Sequence, residues 1–148
     1  MHPFLIDLDK VSYTPEGTSV LCDVTLQASE RRIGIVGRNG SGKTSLARVL
    51  AGLVAPSSGK LRINGGDVVK DRKAALRQVG ILFQNPDHQI IFPTVEEEIS
   101  FGLTQLKHSP DEATERTVDI LARFNRSHWA KAAIHQLSQG QRQLVCLM

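Results

Sequence analysis

The stretch Gly37-Arg38-Asn39-Gly40-Ser41-Gly42-Lys43-Thr44 fits the pattern G-x-x-x-x-G-K-[ST], which is typical of a phosphate-binding loop. An apolar run, Ile33 to Val36, precedes it, as expected of a buried strand. The apolar residues that follow have the spacing of one helix face: Leu46, Val49, Leu50 and Leu53. Strand, loop and helix in this order form the context that the pattern requires.

The residue types in this loop suit a polyphosphate. Glycines at 37, 40 and 42 let the backbone turn its N–H groups inward. The start of the following helix adds unpaired N–H groups and the positive end of a dipole. Lys43 is placed to reach the β- and γ-phosphates, and the Thr44 hydroxyl to hold Mg²⁺. The alternative is a glycine-rich turn ahead of an ordinary helix.

Composition indicates one globular domain. The 148 residues are 41% hydrophobic and 22% charged, which is enough for a real core. The formal charge of +3 is small and the basic residues are scattered, so they favour surface solvation over a nucleic-acid partner. No stretch approaches the length of a membrane span, and Met1 to Phe4 does not open a signal peptide.

The two cysteines, Cys22 and Cys146, have no metal-ligand spacing. We expect them to be reduced core residues, with a disulfide as the alternative.

Alternation and turn signals predict β structure around the loop. Phe4 to Val11 and Val20 to Ala28 alternate, which predicts a small antiparallel sheet. The further predicted elements are a strand at Leu61 to Ile63, a turn at Asn64 to Gly66, a short helix at Asp71 to Gln78 and a second buried strand at Val79 to Gln84.

The remaining residues favour helices. Thr94 with Glu97, and Ser109 with Glu112, form capping boxes that each begin a helix. A last helix is predicted to begin at Ser138. The apolar stripe of the helix after Ser109 comprises Ala113, Thr117, Ile120, Leu121 and Phe124.

Four segments in this order resemble the ATP-binding subunits of ABC transporters: Gly37 to Thr44, Leu50 to Leu53, Phe83 to Pro86, and Leu137 to Gln141. The last is similar to the family signature L-S-G-G-Q and departs from it at Gln139. The resemblance implies an α/β fold: an incomplete P-loop NTPase core with an N-terminal antiparallel β subdomain, about 1–84, and a helical subdomain, about 85–148.

Within the family, Phe83 to Gln89, Pro93 to Val95 and Ile99 to Gly102 are similar to the energy-coupling factor group. That resemblance implies two ATP-binding subunits beneath a transmembrane subunit, at the cytoplasmic face of the membrane. The cargo would be a metal ion or a vitamin, with cobalt, nickel and biotin among the alternatives; the run of residues leans toward the biotin-type members.

The resemblance also implies roles for single residues. The ATP-binding set is Gly37, Asn39, Gly40, Ser41, Gly42, Lys43, Thr44 and Ser45. Gln84 would contact Mg²⁺ and the attacking water, and together with Lys43 would be catalytic. Ser138, Gly140 and Gln141 would act across a dimer interface on the nucleotide of the other subunit. Tyr13 is either an adenine-stacking residue or a strand-end tyrosine.

The family pattern continues beyond the signature helix to the Walker B aspartate and a catalytic glutamate, and neither occurs between Leu137 and Met148. We therefore expect these residues to bind nucleotide with little turnover, and to leave Ile33 to Val36 with an unpaired apolar edge. The alternatives are an inactive nucleotide-binding fragment and a soluble ABC-type ATPase outside transport. A phosphate-loop kinase would need a lid in place of the signature.

Overall fold

The computed structural model describes residues 5–71, 75 and 78–148. The chain divides into two compact units, Met1–Gly80 and Ile81–Met148. The predicted helix over 71–78 falls largely on residues 72–74, 76 and 77, which lie outside the described residues, as does Phe4.

A three-stranded antiparallel sheet forms the first unit, with β1 (Ile6–Tyr13) between β2 (Leu21–Ala28) and β3 (Ser58–Ile63). This confirms the antiparallel sheet. The alternation breaks at Lys10, whose φ of 49° and the register shift beside it mark a bulge. The bulge puts Leu8 and Val11, three residues apart, into the same core.

The loop leads into α1 (Lys43–Leu50), which packs Val49 into that core. Gly52, at φ +68°, ends the helix: its N–H bonds the Val49 carbonyl, and the N–H of Leu53 bonds the Arg48 carbonyl. The predicted helix face was therefore wrong at Leu53, which is 42% exposed because the chain turns away at the left-handed glycine.

The two predicted central strands are not strands in the described residues, so both predictions were wrong. Residues 33–36 and 79–84 make no β-ladder. A strand requires a hydrogen-bonded neighbour, and within the described residues β1, β2 and β3 form no ladder with either segment. Ile35 and Val36 are 44% and 94% exposed, the apolar exposure expected where no partner covers them.

The second unit is helical: α2 (Val95–Gln105), α3 (Pro110–Arg123) and α4 (Gln139–Leu147). All three begin at capping boxes, which confirms the first two and adds one formed by Ser138 and Gln141. Its core comprises Val95, Ile99, Leu121, Trp129, Ile134, Leu137 and Val145. Phe124, predicted in the buried stripe, is 43% exposed because it lies just past the end of α3.

Both cysteines are free thiols. Cys22 is exposed, so its predicted place in the core was wrong: it stands on the outer face of β2, beside the Ser19 hydroxyl. Across the described ranges, the structure contains no helix with the length and apolar character of a membrane span.

Candidate phosphate-binding site

The glycine-rich loop is shaped by two residues that only glycine suits. Gly40 and Gly42 have φ of +81° and +85°. A Cβ on Gly42 would also lie 3.1 Å from the Val20 carbonyl oxygen and from Cδ2 of Leu21. The loop is thus pressed against the start of β2, and the sheet holds the beginning of α1 in place.

The N-terminus of α1 has no side-chain cap, unlike that of α4, whose first turn also lacks acidic residues but is capped by Ser138. Gly42 is the N-cap of α1 and supplies no side chain, and the first turn holds no acidic residue. By contrast, Glu97 and Glu112 occupy the first turns of α2 and α3 and bond their caps. The first N–H groups of α1 are therefore left without a side-chain acceptor from the cap, and they favour an anion there.

Lys43 spans the loop. Its Nζ donates to the carbonyl oxygens of Gly37 at 2.9 Å and Arg38 at 2.7 Å. The ammonium group therefore lies inside the loop, among the groups that would surround a phosphate. Ser45 is half-buried behind it, whereas the polar groups predicted to reach a ligand are exposed, namely Asn39, Ser41 and Thr44.

Tyr13 stands at the end of β1 and packs, half-buried, against the sheet core. It pairs with Leu21, the residue that contacts the Gly42 position. This end of the hairpin therefore adjoins the loop. Its packing suits a strand-end tyrosine, and its place beside the loop suits a stacking residue, so both alternatives stay open.

Gln84 belongs to the second unit and is exposed. Asn85 accepts a hydrogen bond at Oδ1 from the N–H of Asp87 and so caps a short 3-10 helix, Pro86–His88. The Gln84 carbonyl accepts a bond from Nε2 of Gln143 at 3.1 Å, while its own side chain projects at the surface.

The signature-like segment lies at the start of α4. The Ser138 hydroxyl accepts from the N–H of Gln141 at 3.3 Å, and the Ser138 N–H donates to Oε1 of Gln141 at 2.8 Å. The hydroxyl keeps its own proton free to donate to a ligand. A Cβ on Gly140 would meet nothing within 4 Å, so the surface above it is open.

The structure brings Ser138, Gly140 and Gln141 together at one helix end and places the phosphate loop in the other unit. Sequence reasoning missed Arg142 and Gln143, which contact the Gln84 segment. The sequence holds no signal for either contact, since Arg142 and Asp87 lie 55 residues apart along the chain and Gln143 and Gln84 lie 59 apart.

The ABC transporter family matches this chain over residues 21–148. The biotin transport ATP-binding protein BioM of Rhodobacter capsulatus is 54% identical over 143 residues, which are 97% of this chain and 61% of that protein. The energy-coupling factor transporter ATP-binding protein EcfA of Methanothermobacter thermautotrophicus is 36% identical, over 97% of this chain and 48% of that protein.

Two solved structures have folds similar to that of this chain. CbiO1 from Clostridium perfringens, part of the ABC transporter complex CbiONQ, has a TM-score of 0.78 and 28% identity, over 99% of this chain and 60% of that one. The ATP-binding cassette MJ0796 bound to ADP and Pi has a TM-score of 0.76 at 23% identity, over 96% of this chain and 67% of that one, and supports the fold. The chain spans about 61% of the BioM relative's length.

Proposed function

Because the chain belongs to the ABC transporter family, we propose that it is the ATP-binding part of an energy-coupling factor importer, in which ATP binding and hydrolysis drive the uptake of a small solute. The observation that carries the proposal is the start of α1, where the cap and first turn contribute no carboxylate and Lys43 lies within the loop.

The phosphate chain of ATP fits this cradle. The N–H groups at the start of α1 would bind the phosphate oxygens, and Lys43 would exchange its two carbonyl acceptors for them. That exchange is favourable because a charged oxygen is a stronger acceptor than a neutral carbonyl.

Magnesium would be held by oxygen donors, which this ion prefers. The Thr44 hydroxyl is exposed directly after Lys43, and the exposed Gln84 amide offers an oxygen and a donor at once. Bound Mg²⁺ supplies charge neutralisation at the β- and γ-phosphates.

The signature residues point to a second copy or a paired subunit. The Ser138 hydroxyl keeps a proton to donate and the surface above Gly140 is open, which suits a phosphate presented from another chain. We propose that Ser138, Gly140 and Gln141 complete the ATP site of the partner, and that the pair docks on a transmembrane subunit at the cytoplasmic face.

For the cargo, the 54% identity to a biotin transport ATP-binding protein favours biotin over cobalt or nickel. The membrane components of such an importer, produced with this protein in cells that cannot otherwise take up the solute, allow the alternatives to be compared. Accumulation of labelled biotin but not of labelled cobalt supports biotin, and the reverse result assigns a metal cargo.

The nucleotide proposal is tested by calorimetric titration of the chain with Mg-ATP, alongside Lys43→Ala and the control Lys60→Ala on the exposed face of β3. Loss of a charge-assisted contact is expected to weaken binding by about 1.5–3 kcal/mol in Lys43→Ala and to leave Lys60→Ala unchanged. A folded wild-type chain without Mg-ATP binding, or equal binding by all three proteins, would refute it.

A further inference from the structure

Two consecutive side chains of α4 hold the segment that carries Gln84. Arg142 forms an ion pair with Asp87, with Nε 3.2 Å from Oδ1. Gln143 donates from Nε2 to the Gln84 carbonyl oxygen at 3.1 Å. The segment 84–89 is therefore held to the helix at two points, at Gln84 through a hydrogen bond to the main chain and at Asp87 through an ion pair.

Arg142 also reaches the signature-like segment. Its Nη1 donates to the carbonyl oxygen of Leu137 at 3.2 Å, immediately before Ser138. One guanidinium thus contacts the residue that precedes the signature serine and the turn that follows Gln84. The Arg142 side chain is 22% exposed and the Asp87 side chain 59% exposed, so the arginine is largely buried while its carboxylate partner faces solvent.

The contact with Asp87 is not an aligned hydrogen bond. The Nε atom of Arg142 is buried and has no hydrogen-bond acceptor with suitable geometry in the described part of the chain. A buried donor without an acceptor costs free energy, so the contact with Asp87 acts through charge and not through a hydrogen bond at this atom.

We propose that Arg142 is a positioning residue that couples the Gln84 segment to the signature serine, so that a displacement of Gln84 is transmitted to Ser138. The proposal rests on the nucleotide-binding role of these two residues. Transmission is direct because one rigid, planar guanidinium donates to the Leu137 carbonyl and forms the ion pair with Asp87, so a shift of either residue disturbs its contact with that group.

The first test is hydrogen exchange of the full chain, which needs no activity. In Arg142→Gln we expect amide exchange to rise about tenfold both at 84–89 and at 137–141, since both segments lose a contact. Arg123→Gln, an exposed arginine at the end of α3, is the control and is expected to change neither segment.

Asp87→Ala separates coupling from local loosening. It leaves the Leu137 bond in place, so a merely structural role for Arg142 predicts faster exchange at 84–89 alone. The coupling predicts faster exchange at 137–141 as well, and no further increase in the double variant Arg142→Gln/Asp87→Ala. Exchange confined to one segment, or effects that add in the double variant, would overturn the proposal.

If Arg142→Gln does not fold, Arg142→Lys replaces it, because lysine keeps the charge but cannot contact both partners in a fixed fork. Exchange at both segments is expected to rise in Arg142→Lys, and an unchanged pattern would overturn the coupling.

A second test uses ATP turnover by the importer assembled with this protein. Arg142→Gln and Asp87→Ala are expected to lower kcat about tenfold with KM for ATP unchanged, because neither residue lies in the phosphate loop. A rise in KM at constant kcat would contradict coupling. Absence of Mg-ATP binding by the wild type would refute the proposed function alone, and exchange would still decide the coupling.

Discussion

Lys43 donates from Nζ to the carbonyl oxygen of Gly37 at 2.9 Å, across the loop that separates them in the sequence. A second bond, to the Arg38 carbonyl oxygen at 2.7 Å, also joins the end of the loop to its beginning. The residue expected to hold phosphate thus holds the loop in shape, because carbonyl oxygens supply the acceptors that phosphate would otherwise provide.

Replacement of Lys43 by alanine should loosen the nucleotide-free loop. We expect amide exchange at 37–42 to rise about tenfold, since two bonds from a charged donor are lost. The measurement is hydrogen exchange without ATP, with Lys60→Ala as control. An unchanged exchange rate at 37–42 in Lys43→Ala would show that the two Lys43 hydrogen bonds do not stabilise the loop.

Gly59 should tolerate no side chain. Its φ is +87°, and a Cβ would lie 2.3 Å from the Lys10 carbonyl oxygen, which as backbone cannot move aside. Gly17 is a matched control, with φ +80° and nothing within 4 Å. We expect Gly17→Ala to cost about 1–2 kcal/mol for the left-handed backbone alone, and Gly59→Ala about 3 kcal/mol or more. Urea unfolding of the two variants measures the difference, and equal losses would refute it.

Ser138 and Ser109 are chemically equal caps with different expected roles. Each accepts from the N–H three residues ahead at 3.3 Å, so alanine at either position should cost about 1 kcal/mol. Only Ser138→Ala should also reduce ATP-driven pairing of chains, measured by sedimentation. If Ser109→Ala reduces pairing equally, the effect is one of stability and not of phosphate contact.

Stability should depend on the ionisation of Glu112. The backbone N–H of Ser109, with its hydroxyl second, holds the pKa of that carboxyl below its ordinary value. A lowered folded pKa stabilises the fold above the unfolded pKa, and this contribution is lost as pH falls through the folded pKa. Urea unfolding between pH 7 and about 3 should therefore show a smaller loss in Glu112→Gln than in the wild type. Glu115→Gln, exposed on α3, serves as control and should follow the wild type.

The two thiols should react at different rates. Burial, with the charge of Glu98 second, raises the pKa of Cys146, so less thiolate is present at a given pH. Cys22 is exposed on β2. At pH about 8 we expect a thiol reagent to modify Cys22 about tenfold faster. Single serine variants assign each phase, and a faster reaction of Cys146 would contradict its partial burial.

Elements that depend on near neighbours in the chain were predictable. The capping boxes at Thr94 and Ser109 require partners three residues away, and the helices they begin are present. The turn at 64–66 was also predictable from adjacent residue types, since Asn64 and Gly65 adopt the positive φ that asparagine and glycine accept. The assignment of the phosphate-binding residues at 37–45 stays a prediction.

The two strands predicted at 33–36 and 79–84 were wrong because local residue types do not show whether a partner strand lies alongside. Apolar residues at 33–36 and 79–84 have strand propensity, but a strand exists only where another strand satisfies its N–H and C=O groups. The bulge at Lys10 is likewise a consequence of pairing, because an extra residue matters only against a partner strand.

Residue types alone indicated the ABC transporter family, which matches over 21–148, and predicted the starts of α2, α3 and α4, because each helix start depends on residues within a few positions of one another. The ion pair between Arg142 and Asp87 and the hydrogen bond from Gln143 to Gln84 became apparent only in the folded structure. These contacts depend on where packing brings residues that lie far apart in the chain, and no local pattern of residue types encodes that distance.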